Sequence, residues 1–218
     1  INGSNSTLVL NSTNSITLHK VDGIAALTTT TPSLTLTDDI STQGDGINLT
    51  STGNTGIINL NKAGELLSLT TRNTGNLTLG SDILAISGNT DLKLIATDGA
   101  IEIKAITGVT DFTIQNSSSL TSLTGDINIE GNFLTDTSSV NLIGDRSITA
   151  AGNIDINNTE FTTSNTTATT TITAETAGKS VNLGTFTTGS IIVNSTTLHI
   201  NGTQAKSKET ENRPTQAQ

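Results

Sequence analysis

The 218-residue chain contains no Cys, Met, Trp or Tyr, and its aromatic content is four Phe. Without Cys there is no disulfide framework, no thiolate metal site and no cysteine nucleophile. Without Trp and Tyr there is no platform for stacking bases, and most sugar-stacking subsites are missing too. Positive charge is scarce: ten Lys and Arg against nineteen Asp and Glu give a net charge of −9, which disfavours an electrostatic grip on nucleic acid. Pro occurs only at 32 and 214, and no apolar run approaches the roughly 20 residues that cross a bilayer as a helix. A chain that lacks Met and starts at Ile1 is expected to be a processed product or a cut fragment.

What is present is a Thr/Asn/Ser/Gly background with a regular apolar pattern laid over it. Thr (45), Asn (23), Ser (22) and Gly (20) make up half the chain, yet 32% of it is hydrophobic. The apolar residues recur as doublets one residue apart. Examples are Leu8-x-Leu10, Ile47-x-Leu49, Ile58-x-Leu60, Leu67-x-Leu69, Leu77-x-Leu79, Leu84-x-Ile86, Ile101-x-Ile103, Ile127-x-Ile129 and Leu198-x-Ile200. The central residue is polar or charged in nearly every case, as with Asn48, Asn59, Lys93, Glu102, Asn128 and Asp155. Period-two alternation places the doublet on one face of a strand and the central residue on the other. Helical spacing is not sustained anywhere, and the background disfavours helix.

Many doublets start 9 to 11 residues apart, with turn groups such as Asn73-Thr74-Gly75-Asn76, Asp98-Gly99 and Thr124-Gly125-Asp126 between them. Every second doublet recurs after 19 or 20 residues, as from Ile47 to Leu67, Ile58 to Leu77, Leu92 to Phe112 and Ile172 to Ile191. A period of about 20 residues carrying two or more strands points to a solenoid. An antiparallel sandwich also fits the strand spacing. Its roughly 10 Å core, however, is ordinarily filled with large aromatics, and the inward set here is Leu, Ile, Val and Ala. The expectation is therefore an all-β parallel β-helix of about ten coils. Rising about 4.8 Å per coil, it forms a rod of order 50 Å. It should span residues 1–203, with a loop or protruding hairpin at 19–33, followed by a disordered polar tail or linker at 204–218. Residues 157–171, Asn/Thr-rich with Phe161 and Ala168 as the apolar anchors, also break the rhythm.

Two phrases carry a family resemblance. Thr124-Gly125-Asp126-Ile127-Asn128-Ile129-Glu130-Gly131-Asn132-Phe133-Leu134 and Ala150-Ala151-Gly152-Asn153-Ile154-Asp155-Ile156-Asn157-Asn158 resemble the Gly-Asp/Asn-Ile-x-Ile coils of haemagglutinin-type repeats. Those repeats build filamentous haemagglutinin and the high-molecular-weight adhesins of two-partner secretion. The resemblance extends over about residues 40–202. It implies a right-handed parallel β-helix, secretion through an outer-membrane transporter, display at or release from a Gram-negative cell surface, and attachment to a host-cell receptor or glycan. The Asn-Pro-rich signature of that family's secretion domain does not occur here, which points to a shaft or binding region. Autotransporter passenger domains share the same coil and remain an alternative.

The chain offers little chemistry. His199 is the outward central residue of its doublet and His19 follows Leu18. The two lie 180 residues apart, so no catalytic relay or shared metal is expected. Asp38-Asp39 is the only adjacent carboxylate pair, and strand neighbours face opposite ways, so a turn is expected there in place of an acid/base couple. Lys93 and Glu102 are expected to form a solvated ion pair of small worth. Gly44-Asp45-Gly46 and Asp98-Gly99 are similar to calcium turns but lack the nonapeptide repeat, and no cofactor or metal site is expected. Asn-x-Ser/Thr sequons are no more frequent than composition produces. Asn48, Asn76, Asn116 and Asn194 are candidate glycosylation positions on the strength of the resemblance alone.

The function expected is thus a non-enzymatic adhesin segment. A β-helical polysaccharide lyase, hydrolase or tailspike is the first alternative, and it lacks the clustered carboxylates and aromatics such a cleft uses. An ice-binding solenoid is the second, suggested by Thr-x-Thr at 29/31, 35/37, 135/137 and 171/173. It requires those threonines in register on one flat face.

Overall fold

Ile, Val and Thr carry two heavy atoms on Cβ, which crowds a helix and suits a pleated surface. Alternated with Asn, Ser and Asp, they give each short segment one apolar face. The computed structural model describes residues 6–53, 56–116 and 121–202, and within them forms 23 strands and no helix. All their pairings are parallel. The postulated tail at 204–218 lies outside the described residues.

The strands stack in three columns. Column A includes Leu66–Thr71, Asp91–Ala96, Phe112–Asn116 and Phe133–Thr137. Column B includes Leu77–Leu79, Ile101–Ile103, Thr121–Leu123 and Ser139–Leu142. Column C is a nine-stranded sheet running from Ile16–Leu18 to Ser190–Asn194. Val21–Thr31, Ile40–Ser51, Ile154–Thr163 and Ser180–Phe186 pass through A and B unbroken and join those columns into one 14-stranded sheet. The chain is a β-solenoid of about nine turns, with successive turns roughly 21 residues apart. Nine strands at about 4.8 Å give a height of about 38 Å, shorter than the length expected from ten coils.

Like residues stack over like residues inside. In column C the inward row is Ile16, Leu34, Ile58, Ile83, Ile106, Ile127, Ile148, Ile172 and Val193. In column A, Leu67, Leu92, Phe112, Phe133, Ile154, Val181 and Leu198 are register partners. All four Phe are used in two stacked pairs. Phe112 and Phe133 lie 5.3 Å apart with rings 12° from parallel, and Phe161 and Phe186 lie 4.8 Å apart at 10°.

Three expectations are corrected, and a fourth is filled in. Residues 19–33 are not a protruding loop: Val21–Thr31 is a strand whose Val21, Ile24 and Leu27 enter the core. Their spacing of three reflects register shifts at Val21/Ile24 and Ile24/Ala26, beside Gly23 at φ 74°. Residues 157–171 do break the rhythm: Ile154–Thr163 and Thr169–Ala174 are strands, separated by a turn at 164–168 and with a register shift between Ile156 and Glu160, and Thr159, Thr163 and Thr170 take inward places between apolar ones. The doublet Leu84-x-Ile86 is off by one residue, because Ile83 is buried and Ile86 is 53% exposed. Several 20-residue matches also pair differently: Ile47 lies beside Leu77, Ile58 beside Ile83 and Ile172 beside Val193. The match of Leu92 with Phe112 is observed.

Candidate binding surface

At the corners, where the chain turns from one column to the next, backbone N–H groups fall outside the strand ladders and need acceptors. Asp and Asn side chains supply them from the neighbouring coil. Asp111 N donates to Asp91 Oδ1 (3.0 Å), Asn132 N to Asp111 Oδ1 (2.6 Å), Asn153 N to Asn132 Oδ1 (2.9 Å) and Ser180 N to Asn153 Oδ1 (3.0 Å). A second set joins columns B and C: Asp82, Asp126 and Asp145 accept from Ala105 N, Ser147 N and Thr169 N at 3.1, 2.9 and 2.8 Å. The glycine of each Gly-Asp/Asn-Ile phrase sits where coils approach closely. A Cβ on Gly152 would come 2.6 Å from the Gly131 carbonyl oxygen, and one on Gly125 would strike the Ala105 backbone. The phrase is thus a corner followed by a strand: glycine for clearance, Asp or Asn to bind the next coil, then Ile-x-Ile inward.

One corner collects opposite charges. Lys62 Nζ donates to Asp38 Oδ1 at 3.0 Å and Asp39 Oδ1 at 3.1 Å, with Glu65 at 3.8 Å. Asp39 Oδ1 also accepts Ser68 N at 2.9 Å. The Asp39 N–H, and next the Lys62 ammonium, hold the Asp38 carboxyl below its ordinary 3.8. Burial pulls Lys62 down, but its hydrogen bonds to Asp38 and Asp39 outweigh this and raise it above its ordinary 10.5. Both groups are therefore held in their charged forms. That suits a clamp between coils and not proton transfer near neutrality. Sequence reading did not find Lys62. Its 23- and 24-residue separations from Asp39 and Asp38 are one coil, visible only once coil lengths are known.

Elsewhere the predicted residues are scattered. His19, exposed and within 2.7 Å of Thr37 Oγ1, belongs to the first coil, while His199 is exposed in the last described strand. Lys93 and Glu102 do not pair: they stand on columns A and B, and the neighbours of Lys93 are Ser68 and Thr113. The four Thr-x-Thr pairs do not share a face. Thr29, Thr31, Thr135 and Thr137 point inward, Thr37 binds the Leu18 carbonyl at a corner, and Thr171 and Thr173 face out from column C. Asn48, Asn76 and Asn194 are exposed, but Asn116 is buried with Nδ2 donating to the Gly99 carbonyl at 3.1 Å, closed to a sugar transferase. Sequons at Asn2 and Asn5 lie outside the described residues. Among the described residues no group of three His, Asp or Glu side chains converges to hold a metal ion.

The outward row of column C carries no charge along its whole length: Thr17, Thr35, Asn59, Leu84, Thr107, Asn128, Thr149, Thr173 and Asn194. Where column A turns toward column B, a groove of about 460 Å³ opens, lined among others by Ile95, Gln115, Asp136, Thr137, Ser138 and Asn158. Ile95, Gln115 and Asp136 are register partners on successive coils. No protein-family model, no curated protein and no solved structure matches the chain.

Proposed function

We propose that this chain is a non-enzymatic adhesin segment, displayed on or secreted from a Gram-negative cell, that holds contact surfaces away from the cell. The observation that supports this most is the use made of its carboxylates. Asp38, Asp39, Asp82, Asp91, Asp111, Asp126 and Asp145 are engaged in bonds between or within corners. Asp38 and Asp39 share one partner, the Lys62 ammonium, and the others each accept a backbone N–H of the next coil, so these carboxylates are committed to the fold. What the rod presents is Thr, Asn and Ser on continuous faces, a surface for short-range hydrogen bonding to a host receptor or glycan. The Gly-Asp/Asn-Ile-x-Ile phrases add their resemblance to two-partner secreted adhesins, in which an outer-membrane transporter exports the rod. Many copies on one cell would raise avidity without further contacts. The test is attachment of beads coated with the chain to epithelial cells, beside uncoated beads, with the same protein incubated with a polysaccharide panel. Attachment without depolymerisation is expected. Depolymerisation abolished by replacing a single carboxylate would overturn the proposal.

A further inference from the structure

We infer that the groove at the end of column A is a binding site for a short, uncharged oligosaccharide, an inference that rests on the adhesin reading and names its contact point. Four successive coils contribute to it, through Ile95, Gln115, Asp136 and Asn158, so it runs along the rod for about three strand spacings, or roughly 14 Å. Its volume of about 460 Å³ falls in the range of about 300–1,000 Å³ typical of small-molecule sites. The polar groups here differ from those at the other corners. The side chains of Gln115, Asp136, Ser138 and Asn158 are not engaged with any described residue, whereas carboxylates such as Asp111 and Asp126 are tied to backbone N–H groups of the next coil. Thr137 is turned inward and buried, so the groove's polar contacts on this coil come from Asp136 and Ser138 on either side of it.

The set of groups selects the ligand class. A carboxylate and two amides line the groove beside one bulky aliphatic side chain, Ile95, which matches adjacent sugar hydroxyls and the apolar C–H face of a pyranose. Among the described residues no basic side chain lines the groove, and Asp136 together with a net charge of −9 repels anions, so sialylated and sulfated glycans are disfavoured. Among the described residues no group of three His, Asp or Glu side chains gathers here, so the groove supplies a hard cation with little negative charge.

The experiment titrates the chain with lactose, N-acetyllactosamine and chitotriose, and separately with sialyllactose and a heparin oligosaccharide. It follows the Gln115 and Asn158 side-chain amide resonances. At least one neutral glycan should shift both resonances, and Asp136→Ala should weaken it about tenfold with an unchanged circular dichroism spectrum. Gln115→Ala guards against a loss that reflects misfolding of one variant. Binding by the charged glycans alone, no neutral binding at all, or neutral binding unaffected by both substitutions each overturns the inference. Beads coated with Asp136→Ala separate this from the adhesin reading. Attachment equal to the unsubstituted chain sinks the groove and leaves adhesion standing. Glycan binding without any attachment sinks adhesion and leaves the groove.

Discussion

Four consecutive apolar residues, Ile83 to Ile86, permit two registers, and a pair of substitutions distinguishes them. Period-two reading of the sequence turns Leu84 and Ile86 inward, whereas the structure buries Ile83 between Ile58 and Ile106 and turns Leu84 outward beside Asn59 and Thr107. A slip of one residue exchanges the faces of a strand completely, so the two arrangements predict opposite outcomes. Ile83→Asn removes an almost fully buried side chain, worth about 2–5 kcal/mol by comparison with aliphatic truncations. It also leaves an amide among methyl groups without partners, a further 1–3 kcal/mol or so. Against a net stability of about 5–15 kcal/mol, a loss of about 3–8 kcal/mol should remove a large share of the stability at room temperature and lower the urea midpoint steeply. Leu84→Asn changes a half-buried outward position already flanked by Asn59 and should cost less than about 1 kcal/mol. The chain has no Trp or Tyr for fluorescence, so far-ultraviolet circular dichroism in urea is the assay, with the slope compared as well as the midpoint. Solenoid coils can unfold in blocks, so hydrogen exchange of the Ile58 and Ile106 amides supplies a local readout. A larger loss for Leu84→Asn than for Ile83→Asn would refute the assigned register.

Two further outcomes concern the corners. Asp111→Ala removes the acceptor of both the Asn132 N–H (2.6 Å) and the Asn132 Nδ2 (3.1 Å) and should cost about 1.5–3 kcal/mol in urea melts, with faster exchange of the Asn132 amide. Glu102→Ala, on an exposed strand position, should change stability by no more than about 0.5 kcal/mol, and equal losses would remove the ladder's role. At the Lys62 corner the folded Asp38 titrates below 3.8, so its contribution is complete above that pH and is lost as pH falls through the lowered value. Lys62 titrates above 10.5, so its contribution is complete below that pH and is lost as pH rises through the raised value. Lys62→Met should move the Asp38 carboxyl resonance titration toward 3.8 and cost about 1 kcal/mol or less at pH 7, given the exposure of the aspartates. An unchanged Asp38 titration would contradict the clamp.

The parallel solenoid was legible because its defining interaction repeats. Doublets such as Ile101-x-Ile103 and Ile127-x-Ile129 alternate cleanly and enter the core as their pattern requires. Three kinds of information were hidden. Coil length varies, so Ile47 meets Leu77 and not Leu67, and a single period cannot assign neighbours. Bulges such as that near Gly23 replace period two with period three, which made buried Val21, Ile24 and Leu27 look like a loop. Threonine is ambiguous by its chemistry: its methyl packs inward, and its hydroxyl in several places finds a backbone oxygen. Thr71 Oγ1 donates to the Gly75 carbonyl and Thr163 Oγ1 to the Asn165 carbonyl, at 2.7 and 2.8 Å. The groove was hidden for a related reason. Ile95, Gln115, Asp136 and Asn158 are spread over the sequence and become neighbours only when four coils are set in register.

The location of the acidic side chains links fold to function. A net charge of −9 spread over the flat faces would make each face repel an anionic cell surface. Instead the Asp residues concentrate where strands begin, because that is where the next coil presents unpaired N–H groups. A carboxylate accepts such bonds more strongly than a neutral oxygen, so the same charges that keep the rod soluble also fasten its coils together. The strands between corners are then free to carry Thr and Asn, whose interactions act over contact distances and are little affected by salt. On this rod, Asp136 is the carboxylate of a column A strand that opens into the groove without being tied to any described residue of a neighbouring coil. That separation of structural from available acceptors is what gives one short segment of an otherwise uniform rod the means to select a ligand.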